Sequence, residues 1–345
     1  MKVDTRVFGD LTKNEEAHLF TISNDNGITV SITNFGGIIP SIIVPDRQGK
    51  PEDVVLGFET LKEYLGDHPY IGSLVGRYAN RISRGRFTLQ GTEYRLAQNH
   101  GEHHLHGGVK GFDKITWDFN EYAERDRAGI MLDYVSYDME EGYPGNLTVQ
   151  VHYSLNEDNE LAIEYSAVSD RPTPVNLTHH GYYNLNGAKD TIHDHELFIQ
   201  ADQYIVTDKD LIPTGEIKDV TGTALDFRKS KLIGQDINEV DGGYDHCYVI
   251  NREGDSPELA AVVRHPGSGR IMEVYTTEPG IQFYSSNFLE GITGKGGIRY
   301  RKHLALCLET QHFPDAVNQP HFPATILIPG ETYKQLTIYK FLTED

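Results

Sequence analysis

Apolar and polar positions alternate along much of the chain. Ile28, Val30 and Ile32 are interleaved with Thr29, Ser31 and Thr33, the period-2 pattern of a strand with one buried and one solvated face. Leu147, Val149, Val151, Tyr153 and Leu155 repeat the pattern, and Leu161, Ile163 and Tyr165 resume it after Asn156 to Asn159, which predicts a β-hairpin. Similar short runs at Leu197 to Ala201, Ala261 to Arg264, Ile271 to Tyr275 and Ile326 to Ile328 are separated by Gly, Pro, Asn and Asp clusters. The only helical pattern of note is short, Glu59 to Leu65. Without long amphipathic helices between the strands, βαβ units and a parallel sheet are excluded, and the expected architecture is antiparallel all-β with two large packed sheets.

One run breaks the alternation. Leu304, Ala305, Leu306, Cys307 and Leu308 are apolar at every position, as expected for a strand buried on both faces, and the run ends at Glu309. A carboxylate held at the end of such a strand loses hydration. That loss disfavours the charged form and moves its pKa toward the range useful for a general base, although a carboxylate simply emerging into solvent fits the pattern equally well.

Composition narrows the functional classes. With 38% hydrophobic and 24% charged residues spread along the chain, the sequence suits a packed globule, and no repeat, low-complexity tract or linker divides residues 1 to 345 into more than one domain. The formal charge of −20, from 31 basic and 51 acidic residues, repels nucleic acid and anionic membrane surfaces and favours a neutral small molecule over a phosphorylated one. Cys247 and Cys307 lie among apolar and aromatic neighbours without a pairing pattern, so both are expected as reduced core residues. The segment Met1 to Asp10 has neither a basic nor an apolar region of the kind that directs secretion, so a cytoplasmic protein is expected.

Histidine is abundant and clumped: His100, His103, His104 and His106, then His179 and His180, then His193 and His195. Four imidazoles within seven residues raise the possibility of a zinc site. No cysteine or carboxylate set accompanies them, so no metal and no cofactor is expected.

The segments around these histidines carry a resemblance. SLVGRYANRISRGRFTL (Ser73 to Leu89), HLHGG (His104 to Gly108), NLTHHGYYNL (Asn176 to Leu185), DLIPTGEI (Asp210 to Ile217), GYDHCY (Gly243 to Tyr248), PGIQFYSSN (Pro279 to Asn287) and LETQHFPD (Leu308 to Asp315) together resemble the aldose 1-epimerase (galactose mutarotase) family. Each motif alone is weak, but their collinear order over nearly the whole chain is specific. The resemblance implies a large antiparallel β-sandwich of the supersandwich type, and an enzyme that interconverts the α and β anomers of a free aldose as a monomer or homodimer. It further implies that His180 and Glu309 are catalytic, and that Asn80, Arg81, His106, Asp245 and Gln282 bind the sugar.

Anomer exchange itself requires such a set, because a proton leaves the C1 hydroxyl while another reaches the ring oxygen. The sequence departs from the family pattern at His179 and His103, where asparagine is usual, and at Gly181, where Ser or Thr is usual. The like charge of His179 is expected to lower the pKa of His180. Two other readings compete: a tyrosine-rich, non-catalytic carbohydrate-binding module, and a glycoside hydrolase, which needs two flanking carboxylates. The first leaves the His180 and Glu309 pair unexplained. The second has only Glu309 and Asp245 to offer.

Overall fold

The computed structural model describes residues 1 to 344. Its largest sheet has nine strands in the order Asp118–Ala123, Arg127–Ser136, Leu147–Asn156, Glu160–Ser169, Tyr333–Thr343, Arg270–Thr276, Glu258–His265, Glu196–Ile199 and Lys231–Leu232. The expected hairpin is at its centre, with Leu155 paired to Leu161 and antiparallel register kept through to Leu147 and Ser169. Leu147, Val149, Val151, Tyr153 and Leu155 are all fully buried while their neighbours are partly or wholly exposed, as the alternation requires. The C-terminal strand lies between Glu160–Ser169 and Arg270–Thr276 and so stitches the two halves of the sheet together.

Instead of one second large sheet there are two of five strands. Lys2–Thr12, Glu15–Ser23, Thr29–Thr33, Ser41–Pro45 and Pro51–Asp53 form a meander. Pro213–Asp219, Gln203–Thr207, Asp245–Val249, Gly280–Tyr284 and Cys307–Gln311 form the other. The chain between them makes only two-stranded pairings outside the nine-stranded sheet, and single bridges from Tyr183 to Val55 and to Leu306 link their edges. Both contribute to the same apolar core as the large sheet: Phe20, Ile22 and Val30 from the first, Tyr248, Ile281 and Phe283 from the second, Val151 and Ile163 from the third.

The predicted helix shrinks to Leu61–Tyr64, because Thr60 and Glu63 form a capping box that fixes its start two residues after Glu59. The run from Leu304 to Leu308 is buried throughout, as expected, but the strand begins at Cys307, and Glu309 is its middle residue instead of its end. The ladder is anchored there because Glu309 pairs with Gln282 on the adjacent strand. Cys247 and Cys307 are buried free thiols, and no helix among the described residues is long and apolar enough to cross a membrane.

Truncating the hairpin core tests this packing. Leu161→Ala removes a fully buried side chain and is expected to destabilise the fold by about 2–5 kcal/mol. The same truncation at half-exposed Val168 is expected to change stability by under about 0.5 kcal/mol. Urea unfolding followed by circular dichroism measures both.

Candidate active site

Strand alternation explains why polar residues gather on one side of the second five-stranded sheet. Tyr248, Ile281, Phe283 and Leu308 point into the core. Ladder partners share a face, so the pairs Asp245 and Tyr284, Cys247 and Gln282, and Gln282 and Glu309 all lie on the opposite side. This second face is covered too, which makes it the floor of a cavity of about 210 Å³.

The wall opposite comes from earlier segments. Arg81–Ile82 pairs with His104–Leu105, and the two chains turn back on themselves at Asn80 and His106, both at positive φ. His106 donates its backbone N–H to Asn80 O at 3.0 Å, and Asn80 returns its own N–H to His106 Nδ1 at 3.1 Å. The glycine after His106 is required by close approach: a Cβ on Gly107 would stand 1.8 Å from Gly76 O. His180 follows the short strand Thr178–His179, with its backbone N–H bonded to Ser73 O at 2.8 Å.

All seven residues expected from the sequence line this one cavity: Asn80, Arg81, His106, His180, Asp245, Gln282 and Glu309. His180 Nε2 stands 3.6 Å from Glu309 Oε1, and both side chains are almost wholly buried. Gln282 donates to Asp245 Oδ1 at 2.6 Å, and Arg81 reaches Asn80 Oδ1 at 3.4 Å. His180 Nδ1, Glu309 Oε2, Gln282 Oε1 and Arg81 Nε have no protein partner, so the cavity offers both donors and acceptors to a polar ligand.

Burial dominates the electrostatics. It pushes the Glu309 carboxyl up to about 8, with the Asp245 charge adding to the rise and Arg81 opposing it. Burial likewise lowers His180 to about 4, and the next charge acting on it is His68, not His179. The like-charge repulsion between the neighbouring imidazoles falls on His179, which burial and then the His180 charge lower to about 3. Along this extended segment Asn176, Thr178 and His180 face one way, whereas Leu177 and His179 face the other; His179 lies against Tyr153 in the core at 6.2 Å between ring centroids.

The other two departures also have local explanations. His103 Nδ1 accepts the Arg84 N–H at 3.1 Å, outside the cavity. A Cβ on Gly181 would lie 2.8 Å from the Tyr183 ring, so the small residue accommodates that ring.

The zinc reading of the first histidine run fails on geometry. His104 places Nδ1 2.8 Å from Ala97 O and Nε2 2.7 Å from the Tyr143 hydroxyl, and His103 is held as above. Among the described residues, metal-ligand groupings occur instead at His106, His180 and Glu309, and at Asp194, His195 and His265. His106 Nδ1, His195 Nε2 and His265 Nδ1 each accept a backbone N–H. The neutral rings thus carry their proton on the nitrogen facing the group, where they act as hydrogen-bond donors and not as ligands.

Sequence reasoning missed the aromatic lining. Tyr182 stacks on His180 at 5.0 Å, Tyr70 stands on its other side at 6.1 Å, and Tyr284 and Phe288 stack at 6.3 Å. Tyr182 and Tyr284 were recoverable, since each lies two residues beyond a site residue inside a quoted motif and so shares its face. Tyr70 and Phe288 carry no such signal. A larger surface depression of about 650 Å³ between Gly222 and Asp236 contains none of these residues.

Comparison with known proteins identifies the family and the fold. The sequence model of the family described as aldose 1-epimerase matches residues 18–340. The chain belongs to the aldose 1-epimerase family. It is 49% identical over 345 residues to the galactose mutarotase of Sus scrofa, covering 99% of each chain. To the aldose 1-epimerase of Escherichia coli K12 it is 37% identical over 333 residues, covering 94% of this chain and 95% of that one. Among solved structures, an aldose epimerase homologue from C. elegans superimposes with a TM-score of 0.89 at 33% identity, covering 95% of this chain and 99% of that one. The supersandwich expected from the resemblance is the fold observed.

The buried carboxyl has a signature in stability. Its folded pKa of about 8 exceeds the ordinary 4.5, so the folded state holds the proton more tightly, and the protein loses stability as pH rises from 4.5 through 8. Glu309→Gln removes this dependence. Denaturation midpoints measured from pH 5 to 9 are expected to diverge in favour of the variant, with most of the divergence complete near pH 8.

Proposed function

We propose that this protein is an aldose 1-epimerase that interconverts the α and β anomers of free hexoses such as galactose and glucose, with Glu309 and His180 as its acid–base pair. The observation that carries the reading is the 3.6 Å approach of Glu309 to His180 on the wall of a cavity lined by all the expected sugar-binding residues. A glycoside hydrolase is disfavoured because Asp245 is already bonded to Gln282. A binding module has no use for an acid and a base both shifted by burial and facing each other in one cavity.

In the reaction, Glu309 as carboxylate takes the proton of the C1 hydroxyl. His180 as imidazolium gives a proton to the ring oxygen, and the C1–O5 bond breaks to leave the open-chain aldehyde. A half-turn about C1–C2 presents the other carbonyl face, and reclosure returns both protons in the opposite sense. The empty site at neutral pH holds its proton on Glu309, with His180 neutral, as the burial of both groups dictates. The reactive form differs only in having that one proton on the imidazole.

Arg81, the one Lys or Arg lining the cavity, favours the ionised carboxylate. His106, donating from Nε2, and Gln282 and Asp245 orient the sugar hydroxyls. The single cation and the nearby carboxylates suit a neutral sugar better than a phosphorylated one. The continuous core supports a single domain over residues 1 to 345, and buried free thiols support a cytoplasmic setting.

Polarimetry of freshly dissolved α-D-galactose and α-D-glucose tests the proposal. Wild type is expected to accelerate the approach to equilibrium, and Glu309→Gln and His180→Asn each to lose roughly 10²- to 10⁴-fold in kcat. No acceleration by folded wild type would sink the reading. Because the pair must hold one proton, kcat/KM is expected to be level between about pH 4 and 8 and to fall outside those limits. A sharp optimum inside the window would contradict this assignment.

A further inference from the structure

The segment that carries His180 and the strand that carries Glu309 lie side by side in antiparallel order, yet almost no backbone ladder joins them. Tyr183 and Leu306 exchange backbone hydrogen bonds at 2.7 and 2.9 Å. Beyond that point the segment's backbone groups are committed to its other neighbour. His180 bonds to Ser73 O and Gly72 N, Thr178 and His179 pair with Val75 and Leu74, and Asn176 bonds to Arg77 O and Ala79 N.

Side chains make the missing connection. The Asn176 carboxamide accepts the His312 N–H at 3.0 Å and donates to His312 O at 3.2 Å, so it stands in for a peptide unit in a ladder. Two residues on, the Thr178 hydroxyl donates to Thr310 O at 2.8 Å. A second route runs on the other side: the Leu177 N–H donates to the Tyr333 hydroxyl at 3.2 Å, and that hydroxyl donates to Glu278 Oε1 at 3.0 Å. Glu278 Oε2 in turn lies 2.6 Å from His312 Nδ1. Asn176 and Glu278 are wholly buried, whereas their partners His312 and Tyr333 are partly exposed.

We infer that Asn176 is a positioning residue for the proton exchange: its side chain, with the Tyr333 and Glu278 link beside it, sets the His180 to Glu309 separation from four residues before one and three residues after the other. Its backbone bonds also place Arg77 to Ala79, immediately before Asn80 and Arg81, but those bonds do not involve its side chain. Truncating the carboxamide therefore loosens the acid–base pair while leaving the sugar-binding wall in place. The inference rests on the function proposed above.

The test is polarimetric kinetics with galactose for wild type, Asn176→Ala and Tyr333→Phe, on protein shown to be folded by circular dichroism and gel filtration. The expected result for Asn176→Ala is a fall in kcat of at least tenfold, KM within twofold, and a shift of at least half a unit in one limb of the pH profile. Tyr333→Phe keeps the ring packing and is expected to change in the same direction, and it decides the question if Asn176→Ala does not fold. A fall in kcat of less than tenfold in the deciding variant overturns the inference. So does a larger fall matched by an equal rise in KM with unmoved pH limbs, the mark of general loosening. An inactive folded wild type overturns the function and the inference together; an active wild type with unaltered variants overturns the inference alone.

Discussion

Glu309 and His180 are both withdrawn from water and face each other at 3.6 Å, and most of the surrounding architecture can be understood as what holds them there. An isolated carboxylate in an apolar interior is driven to take up a proton, and an isolated imidazole to give one up. Putting the two together in one cavity lets a single proton serve both. The strand Cys307–Gln311 achieves the burial by alternation: Leu308 belongs to the main core and Glu309 to the cavity, so the carboxyl is anchored on a strand that cannot shift without exposing a leucine.

The remaining side chains of the site are supplied by chain segments far apart in sequence, from Asn80 to Glu309, and rigid pairing is what makes their convergence reproducible. Asp245, Gln282 and Glu309 sit on three adjacent strands of one sheet. Asn80 and His106 are locked by a reciprocal pair of hydrogen bonds at two left-handed residues. Sites built on paired strands hold their geometry better than sites on free loops. The exception is the His180 segment, whose backbone is paired on one side only and which reaches the Glu309 strand through Asn176 and Thr178.

Much of this was legible in the sequence, because period 2 reports which face a residue occupies. The central hairpin, the fully buried run at Leu304 to Leu308 and the seven cavity residues follow from pattern and motif. Three features were not legible, each for a physical reason. The second layer is divided into two sheets, a matter of long-range pairing that local alternation does not encode. The strand bearing Glu309 starts at Cys307, because its register is set by Gln282 on another strand. The side to which His179 points is the third: neighbours in an extended segment face apart, so His179 lies in the core against Tyr153 while His180 lines the cavity.

Burial leaves the empty pair polarised, with the proton on Glu309 and His180 neutral. In the proposed reaction ring opening and ring closure use the same two groups with their roles exchanged, so the proton must be able to pass from Glu309 to His180. Burial alone would hold the proton firmly on Glu309, and Asp245 strengthens that hold, whereas Arg81 weakens it. A sugar hydroxyl that donates to Glu309 acts in the same sense as Arg81, because it solvates the carboxylate in place of water. In the proposed reaction the substrate thus helps to create the ionised pair that opens it. Since such hydrogen bonds depend on placement, the proposed brace at Asn176 and the wall at Asn80 and His106 bear on the proposed chemistry even though the bonds that break lie on the sugar.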